Sequence, residues 1–426
     1  MTLTTPIPAD IWFTVARFLQ DDELRELSSV NLAFFAAAMD ARYQSVVLRV
    51  SRLTPGADCS LEGLLTRLRN PTIAGRVRHL CLDFETEPPN ATNTSIIDAL
   101  SSSVACFKDV TTLRVACNWG GSNTVVPKTS PGPQTQLTLS SFVLPVLHAL
   151  SKASHMSLRV LHLSANLDTL YMMVQRLVAS RSLEELNIHF DTRSHGPTTT
   201  RFQDISSLLG KRFSHLKRLG LSAAPRLDIS FLFNSLGRLP SLEVVTFSLS
   251  TRMRQMELKR FVRFIGDNPS IHTLNMEGKG NTLLLTEDLY WFTDSLSQQT
   301  SHGGASGISS LKLPVTTLTP DMVHVLSAKF PLLKNLIFVV GAVSGDLLVD
   351  DFCGELGLYS FARWVQGATV MSPDGIIDLK ASLAIAEASS PICRIEGRTQ
   401  DAIRRYLDAG GCSHMAVSDL GRIKDM

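Results

Sequence analysis

The sequence predicts an α/β protein in which a short helical head precedes a long β-α solenoid closed by a helical cap. Three observations carry that prediction. One spacing (apolar, two residues, apolar, one residue, apolar) returns ten times between residues 43 and 338. Segments of helical periodicity alternate with these triplets. The first forty residues hold three short amphipathic segments ahead of the series.

The head, residues 1–48, reads helix by helix. Pro8 suits a first helical turn, where its missing N–H costs nothing. Ile11, Val15, Phe18 and Leu19 then recur at helical spacing and make one apolar face. Gln20, Asp21 and Asp22 break that helix, and the acidic pair favours the positive N-terminus of the next. Leu24, Leu27 and Val30 form its stripe, Asn31 caps a third helix, and Phe34, Phe35 and Met39 follow before Tyr43. Three helices this short enclose little, and neither paired cysteines nor metal-ligand spacing staples them. Such a head either packs on the first repeat as a cap or docks on another protein.

The array, residues 49–340, takes its first triplet from the end of the head, Tyr43/Val46/Leu48. It continues through Val77/Leu80/Leu82, Val110/Leu113/Val115, Leu158/Leu161/Leu163 and Leu183/Leu186/Ile188. Leu216/Leu219/Leu221, Leu242/Val245/Phe247, Ile271/Leu274/Met276, Ile308/Leu311/Leu313 and Leu333/Leu336/Phe338 complete it, mostly 25 to 37 residues apart. Helices are predicted between them at 95–107, 141–153, 202–213, 227–239, 256–267 and 320–330. Pro240, Pro269 and Pro331 stand two residues before a triplet, where proline stops a helix and favours extended entry. One such unit cannot bury its stripe alone, whereas stacked units make a continuous core. An ordinary α/β domain with parallel strands is the rival reading.

Gly, Ser, Thr and Pro mark 118–136 and 297–307 as inserted surface loops. After about residue 340 the triplet fades, and three helical stretches within 341–426 (358–367, 375–388 and 399–411) read as a terminal cap.

Totals restrict the function classes. At 426 residues the chain outgrows one simple core, and 44% hydrophobic with 19% charged residues describes a soluble globular protein. Forty-one basic against 39 acidic residues, without blocks of like charge, predict neither a nucleic-acid nor a membrane-surface partner. No uncharged apolar run reaches the roughly 20 residues that cross a bilayer. Asp10 and Arg17 interrupt the opening stretch, unlike a secretory signal. The seven cysteines (Cys59, Cys81, Cys106, Cys117, Cys353, Cys393 and Cys412) are odd in number and scattered. They read as free thiols of a cytoplasmic or nuclear protein. The sequons at Asn90 and Asn93 then mark only a polar loop.

On these residues, 43–340 resembles an irregular leucine-rich-repeat array; Asn166 follows Leu163 where such repeats place an asparagine. The head, "IPADIWFTVARFLQDDELRELSSVNLAFFAAA", resembles the F-box: an apolar–Pro pair (Ile7–Pro8), an acidic residue two on (Asp10), a helix ending in Leu, acidic loop residues, then "L..L..V". It departs at the end, where many F-boxes carry Cys-x-x-x-Trp and this chain has Asn31 and Phe35. The fold class implied is an F-box-like head followed by a leucine-rich-repeat solenoid. The resemblance implies that Pro8, Ile11, Val15, Leu19, Leu24, Leu27 and Val30 face the Skp-type adaptor of a cullin–RING ubiquitin ligase. The array would then hold an unknown protein substrate. A plain leucine-rich-repeat interaction scaffold, with the head as a cap, is the alternative.

Strand alternation selects the residues of the exposed face, among them Arg114, His162, Asn187, His189, Arg218, Asn275, Glu277 and Lys312, as substrate-binding candidates. His162 and His189 lack a third ligand at zinc spacing, so no metal is expected. G-x-S-x-G, G-x-x-x-x-G-K-[ST], H-E-x-x-H and G-x-G-x-x-G are all missing, and Asp350, Asp351 and His414 make no acid–base set. A non-catalytic receptor without cofactor is the expectation.

Overall fold

The computed structural model describes residues 8–50, 58–84, 94–117, 143–150, 152–153, 157–176, 182–191, 198–224, 227–248, 255–278, 283–302, 307–318, 322, 325–326, 329–330, 332–343, 367–372, 375–376 and 392–395. The chain divides into two compact units, Met1–Gly196 and Pro197–Met426.

In the first unit three helices come first: α1 (Ala9–Ala16), α2 (Asp21–Leu27) and α3 (Leu32–Tyr43). Each begins as its sequence dictates. Pro8 occupies the N-cap of α1. Gln20 opens α2 with a capping box, its N–H bonded to Glu23 Oε2 at 2.8 Å. The side chain of Asn31 accepts from the Phe34 N–H at 2.9 Å at the start of α3. The helices close on Ala16, Leu24 and Phe34, with Trp12, Leu19 and Leu27 packed against them. Trp12 meets Phe34 edge-on at 5.4 Å.

The repeats follow as β1 (Ser45–Val50), α4 (Asp58–Leu68), α5 (Pro71–Ala74), β2 (His79–Phe84), α6 (Thr94–Val104) and β3 (Thr112–Cys117). Next come α7 (residues 143–150), β4 (Val160–Ala165), α8 (Leu167–Arg176) and β5 (Glu185–Phe190). The strands pair in chain order, all parallel. Triplet residues fall opposite one another: Leu48–Leu82–Val115–Leu163–Ile188 makes one inner row and Val46–Leu80–Leu113–Leu161–Leu186 the other. All ten are buried, each contributing about 1.5–3 kcal/mol of apolar transfer.

A backbone clamp sets this register. The carbonyl of Gln44 accepts from the amides of both Arg78 and His79, each at 2.9 Å. Those of Arg78, Thr111 and Arg159 do the same for the first two residues of the next repeat. Asn166 fills its expected role, its Oδ1 accepting from the Thr169 N–H at 2.9 Å to start α8. Arg76 ties the head to the repeats: its guanidinium donates to the Ala36 carbonyl at 3.0 Å and pairs with Asp40, both on α3.

The second unit repeats the pattern: α9 (Thr198–Arg212), β6 (Arg218–Ala223), α10 (Ser230–Phe233), β7 (Val244–Ser248), α11 (Gln255–Asp267), β8 (Thr273–Glu277), α12 (Thr286–His302), β9 (Ser310–Leu318) and β10 (Asn335–Val343). Strands β6 to β10 are parallel and consecutive. Lys217, Glu243, His272 and Ser309 provide the same two-amide clamp. Phenylalanines stack between strand and helices: Phe233 lies 5.1 Å from Phe247, 4.8 Å from Phe261 and 5.3 Å from Phe264.

Three expectations need correction. The helix predicted at 227–239 is one turn, α10, because Gly237 takes a left-handed φ of 65° and turns the chain. The Leu239 N–H then goes to Asn268 Oδ1 at 2.6 Å, and Asn268 Nδ2 donates to the Phe264 carbonyl at 2.8 Å. Tertiary bonds thus replace helical ones. The loop predicted from Ser297 is helical to His302: Leu289, Phe292 and Leu296 are buried at helical spacing, and no Gly or Pro intervenes before Gly303. The described residues beyond 340 are strands rather than a helical cap. There, β11 (Gly367–Ser372) continues the ladder from β10, with β12 (Gly375–Ile376) antiparallel and β13 (Ile392–Ile395) parallel on it. Ala368 and Val370 pair with Leu336 and Phe338, an apolar alternation that extends the sheet. The helices predicted at 358–367 and 375–388 otherwise lie outside the described residues, as do the helix at 399–411, the loop 118–136 and Asp350, Asp351 and His414.

Candidate functional site

Two surfaces emerge from this architecture, and the first is the head. Ile11 and Val15 are four residues apart and share a stripe of α1, which Phe18 continues in the turn just past the helix end. That stripe is open: Ile11 is 48% exposed, Val15 40% and Phe18 84%. Pro8 and Val30 are exposed as well. Of the other residues expected to face a partner, Leu24 is instead buried in the head's own core, because α2 turns that side toward Phe34. Leu19 and Leu27 are half-buried against the same core. Four exposed apolar side chains were outside the expected set: Phe13, Phe18, Leu32 and Phe35. Periodicity points to Phe18, which continues the Ile11–Val15 stripe.

The second surface is the outward face of each sheet. In the first unit, register aligns Val47–Cys81–Arg114–His162–Asn187 in one row and Arg49–Asp83–Ala116–Ser164–His189 in the next. Arg114, His162 and Asn187 are therefore direct neighbours on successive strands. His189 sits opposite Ser164 and is staggered two residues from His162. Asn187 Nδ2 donates to Glu185 Oε1 at 2.8 Å, which fixes both side chains. Burial pushes the pKa of His162 below its ordinary value, opposed by Glu185 and reinforced by Arg114. Burial likewise raises the Cys81 thiol, with Arg114 and Arg49 pulling the other way and Asp83 adding to the rise. Cys117, on the inner side of the same sheet, is pushed up by burial and by Asp83.

In the second unit Asn275 and Lys312 are paired across β8 and β9, and Arg218 lies opposite Val244 on β7. Lys312 Nζ meets Glu277 Oε1 at 3.0 Å, and Asn275 Nδ2 donates to Thr246 Oγ1 at 3.4 Å. Lys312 and Glu277 are thus occupied with each other.

Among the described residues, no cluster of three or more His, Cys, Asp or Glu could hold a metal ion. No described helix is long and apolar enough to cross a membrane. Cys81, Cys106 and Cys117 are free thiols.

No family model matches the chain, and no curated protein matches it in sequence. Solved structures similar to it include the leucine-rich-repeat-containing protein LegL7 from Legionella pneumophila, at 13% identity over 77% of this chain and 91% of that one, with a TM-score of 0.43. A Bacteroides fragilis protein matches at 15% identity over 58% of this chain and 72% of its own, with a TM-score of 0.35. A chain of the Rad7–Elc1 complex from yeast matches at 13% identity over 79% of this chain and 90% of its own, with a TM-score of 0.28.

Proposed function

We propose that this protein is a substrate-recognition subunit of a Skp–cullin–F-box ubiquitin ligase. The head docks on a Skp-type adaptor, the repeats bind a protein substrate, and the partners transfer ubiquitin; the chain itself contributes no catalysis. One observation carries the reading: the exposed Ile11–Val15 stripe of α1, continued by Phe18 just past its end, in a sequence that resembles the F-box. A segment that keeps three large apolar side chains open loses roughly 25 cal/mol for each Å² left in water, and a docking partner offsets that loss. Only part of the implied contact set is available to a partner, namely Pro8, Ile11, Val15 and Val30, with Leu19 and Leu27 at its margin.

The scaffold alternative also has support. Arg76 binds α3 through Ala36 and Asp40, and Leu24 is buried, as a head that merely caps the first repeat requires. Co-purification with a Skp-type adaptor separates the two. The wild-type chain is expected to capture the adaptor, and an Ile11→Asp/Val15→Asp variant with an unchanged circular dichroism spectrum is expected to lose it. Failure of the folded wild type to bind leaves the scaffold reading.

A further inference from the structure

We propose that Arg49 and Arg114 form an anion-recognition position on the outward face of the first unit's sheet, and that it takes an acidic side chain from a peptide segment of a protein ligand. The proposal rests on the reading that the repeats hold a ligand, and it names the chemistry of one contact.

Register sets the geometry. Cys81, on β2, lies directly opposite Arg114 on β3. Arg49, on β1, lies opposite Asp83, two residues further along β2 on the same face. The two guanidiniums thus flank β2 from either side, and both act electrostatically on the Cys81 thiol. The strands that carry them stand about 10 Å apart across β2, a span that two arginine side chains close over a single anion.

Neither arginine has an ion pair or hydrogen bond among the described residues. Other cations of the chain are engaged: Arg78 with Asp109 at 3.0 Å and Lys312 with Glu277 at 3.0 Å. Among the described residues of β1 to β3, Asp83 is the carboxylate on this face beside the two guanidiniums. Glu185 lies two strands from Arg114 and is held by Asn187. His162, beside Arg114, has its pKa lowered by burial, which disfavours a further positive charge there.

Between the arginines β2 presents Cys81 and Asp83, and beyond Asp83 the same row continues through the short side chains of Ala116 and Ser164. A carboxylate or phosphoryl oxygen matches the guanidinium fork in charge and geometry. Val47, 51% exposed and opposite Cys81, adds an apolar contact at the edge.

Cys81 reports on this position directly. In the full-length folded chain, alkylation by iodoacetate, an anion, and by iodoacetamide, its neutral analogue, is followed at each cysteine by mass spectrometry. The iodoacetate-to-iodoacetamide rate ratio at Cys81 is expected to exceed that at Cys106, in the turn just past α6, by about fivefold at low salt. Changes in thiol pKa cancel in that ratio. An Arg49→Gln/Arg114→Gln variant is expected to bring the Cys81 ratio down to that of Cys106. Polyglutamate or a phosphoserine-containing peptide should slow iodoacetamide at Cys81 in the wild type and not in the variant, while polylysine should not. The stronger protector of the two identifies carboxylate or phosphate as the preferred source. Equal ratios at Cys81 and Cys106, protection by polylysine, or protection that survives the arginine substitutions overturns the proposal. The head takes no part, so this result and adaptor capture succeed or fail independently.

Discussion

The head and the repeats spend their apolar residues in opposite ways. Eleven large hydrophobic side chains are exposed among the described residues, and seven of them (Ile11, Phe13, Val15, Phe18, Val30, Leu32 and Phe35) belong to the head. Ahead of β1, the hydrophobic residues buried in the three-helix head are only Ala16, Leu24, Ala33 and Phe34. In the repeats the proportion is reversed, with Val47, Leu64, Met256 and Leu332 the exposed remainder. The difference is one of size: three short helices have too little interior for their apolar faces, whereas stacked repeats lend each strand a neighbour on both sides. A surface apolar stripe is thus an exception in the repeats and the rule in the head.

Substitutions can break this contrast, and the largest effect is expected in the second unit. Phe261 is fully buried, 4.8 Å from Phe233 and 5.4 Å from Phe247. Phe261→Ala should cost about 3–5 kcal/mol, read as a lower urea midpoint. In the head, Leu24→Ala should cost about 2 kcal/mol, toward the low end for a core leucine because the surrounding core is small. Ile11→Ala should change stability by less than about 0.5 kcal/mol. Hydrogen exchange of α3 amides measures both, and equal effects at the two sites would abolish the distinction between head core and head surface.

The smallest effect concerns His162. Its folded pKa is depressed by burial, so the unfolded state binds the proton more readily. Stability is therefore intact above the unfolded value of about 6.5 and falls as pH drops from there toward the folded pKa. Urea midpoints of wild type and His162→Gln should run parallel above pH 7 and diverge below about pH 6.5, with the wild type losing more. Parallel curves throughout would refute the depressed pKa.

The repeat fold was legible because its signal is redundant. The last two residues of every triplet, from Val46/Leu48 to Leu336/Phe338, lie on a strand and are buried. Helix ends written as local chemistry were legible too, as Asn31 and Asn166 demonstrate. What escaped depends on contacts distant in sequence. The shortness of α10 follows from Gly237 and from Asn268, 31 residues further on. The Ser/Gln-rich end of α12 has a loop's composition and a helix's neighbours. Leu24 and Ile11 are both regular stripe residues, and only the packing of α2 on α3 decides which is hidden. The arginine pair around Cys81 was half visible: Arg114 stood among the candidates, but Arg49 joins it only through strand register.

The two-amide clamp at the entries of β2 to β5 and β7 to β10 uses main-chain atoms alone. Side chains on the outward rows are not needed for that clamp, and cross-strand contacts such as Lys312–Glu277 only add to it. A residue there can be exchanged for another of different charge or size without displacing the strand that carries it. The binding character of the surface is free to diverge rapidly while the scaffold beneath it stays constant.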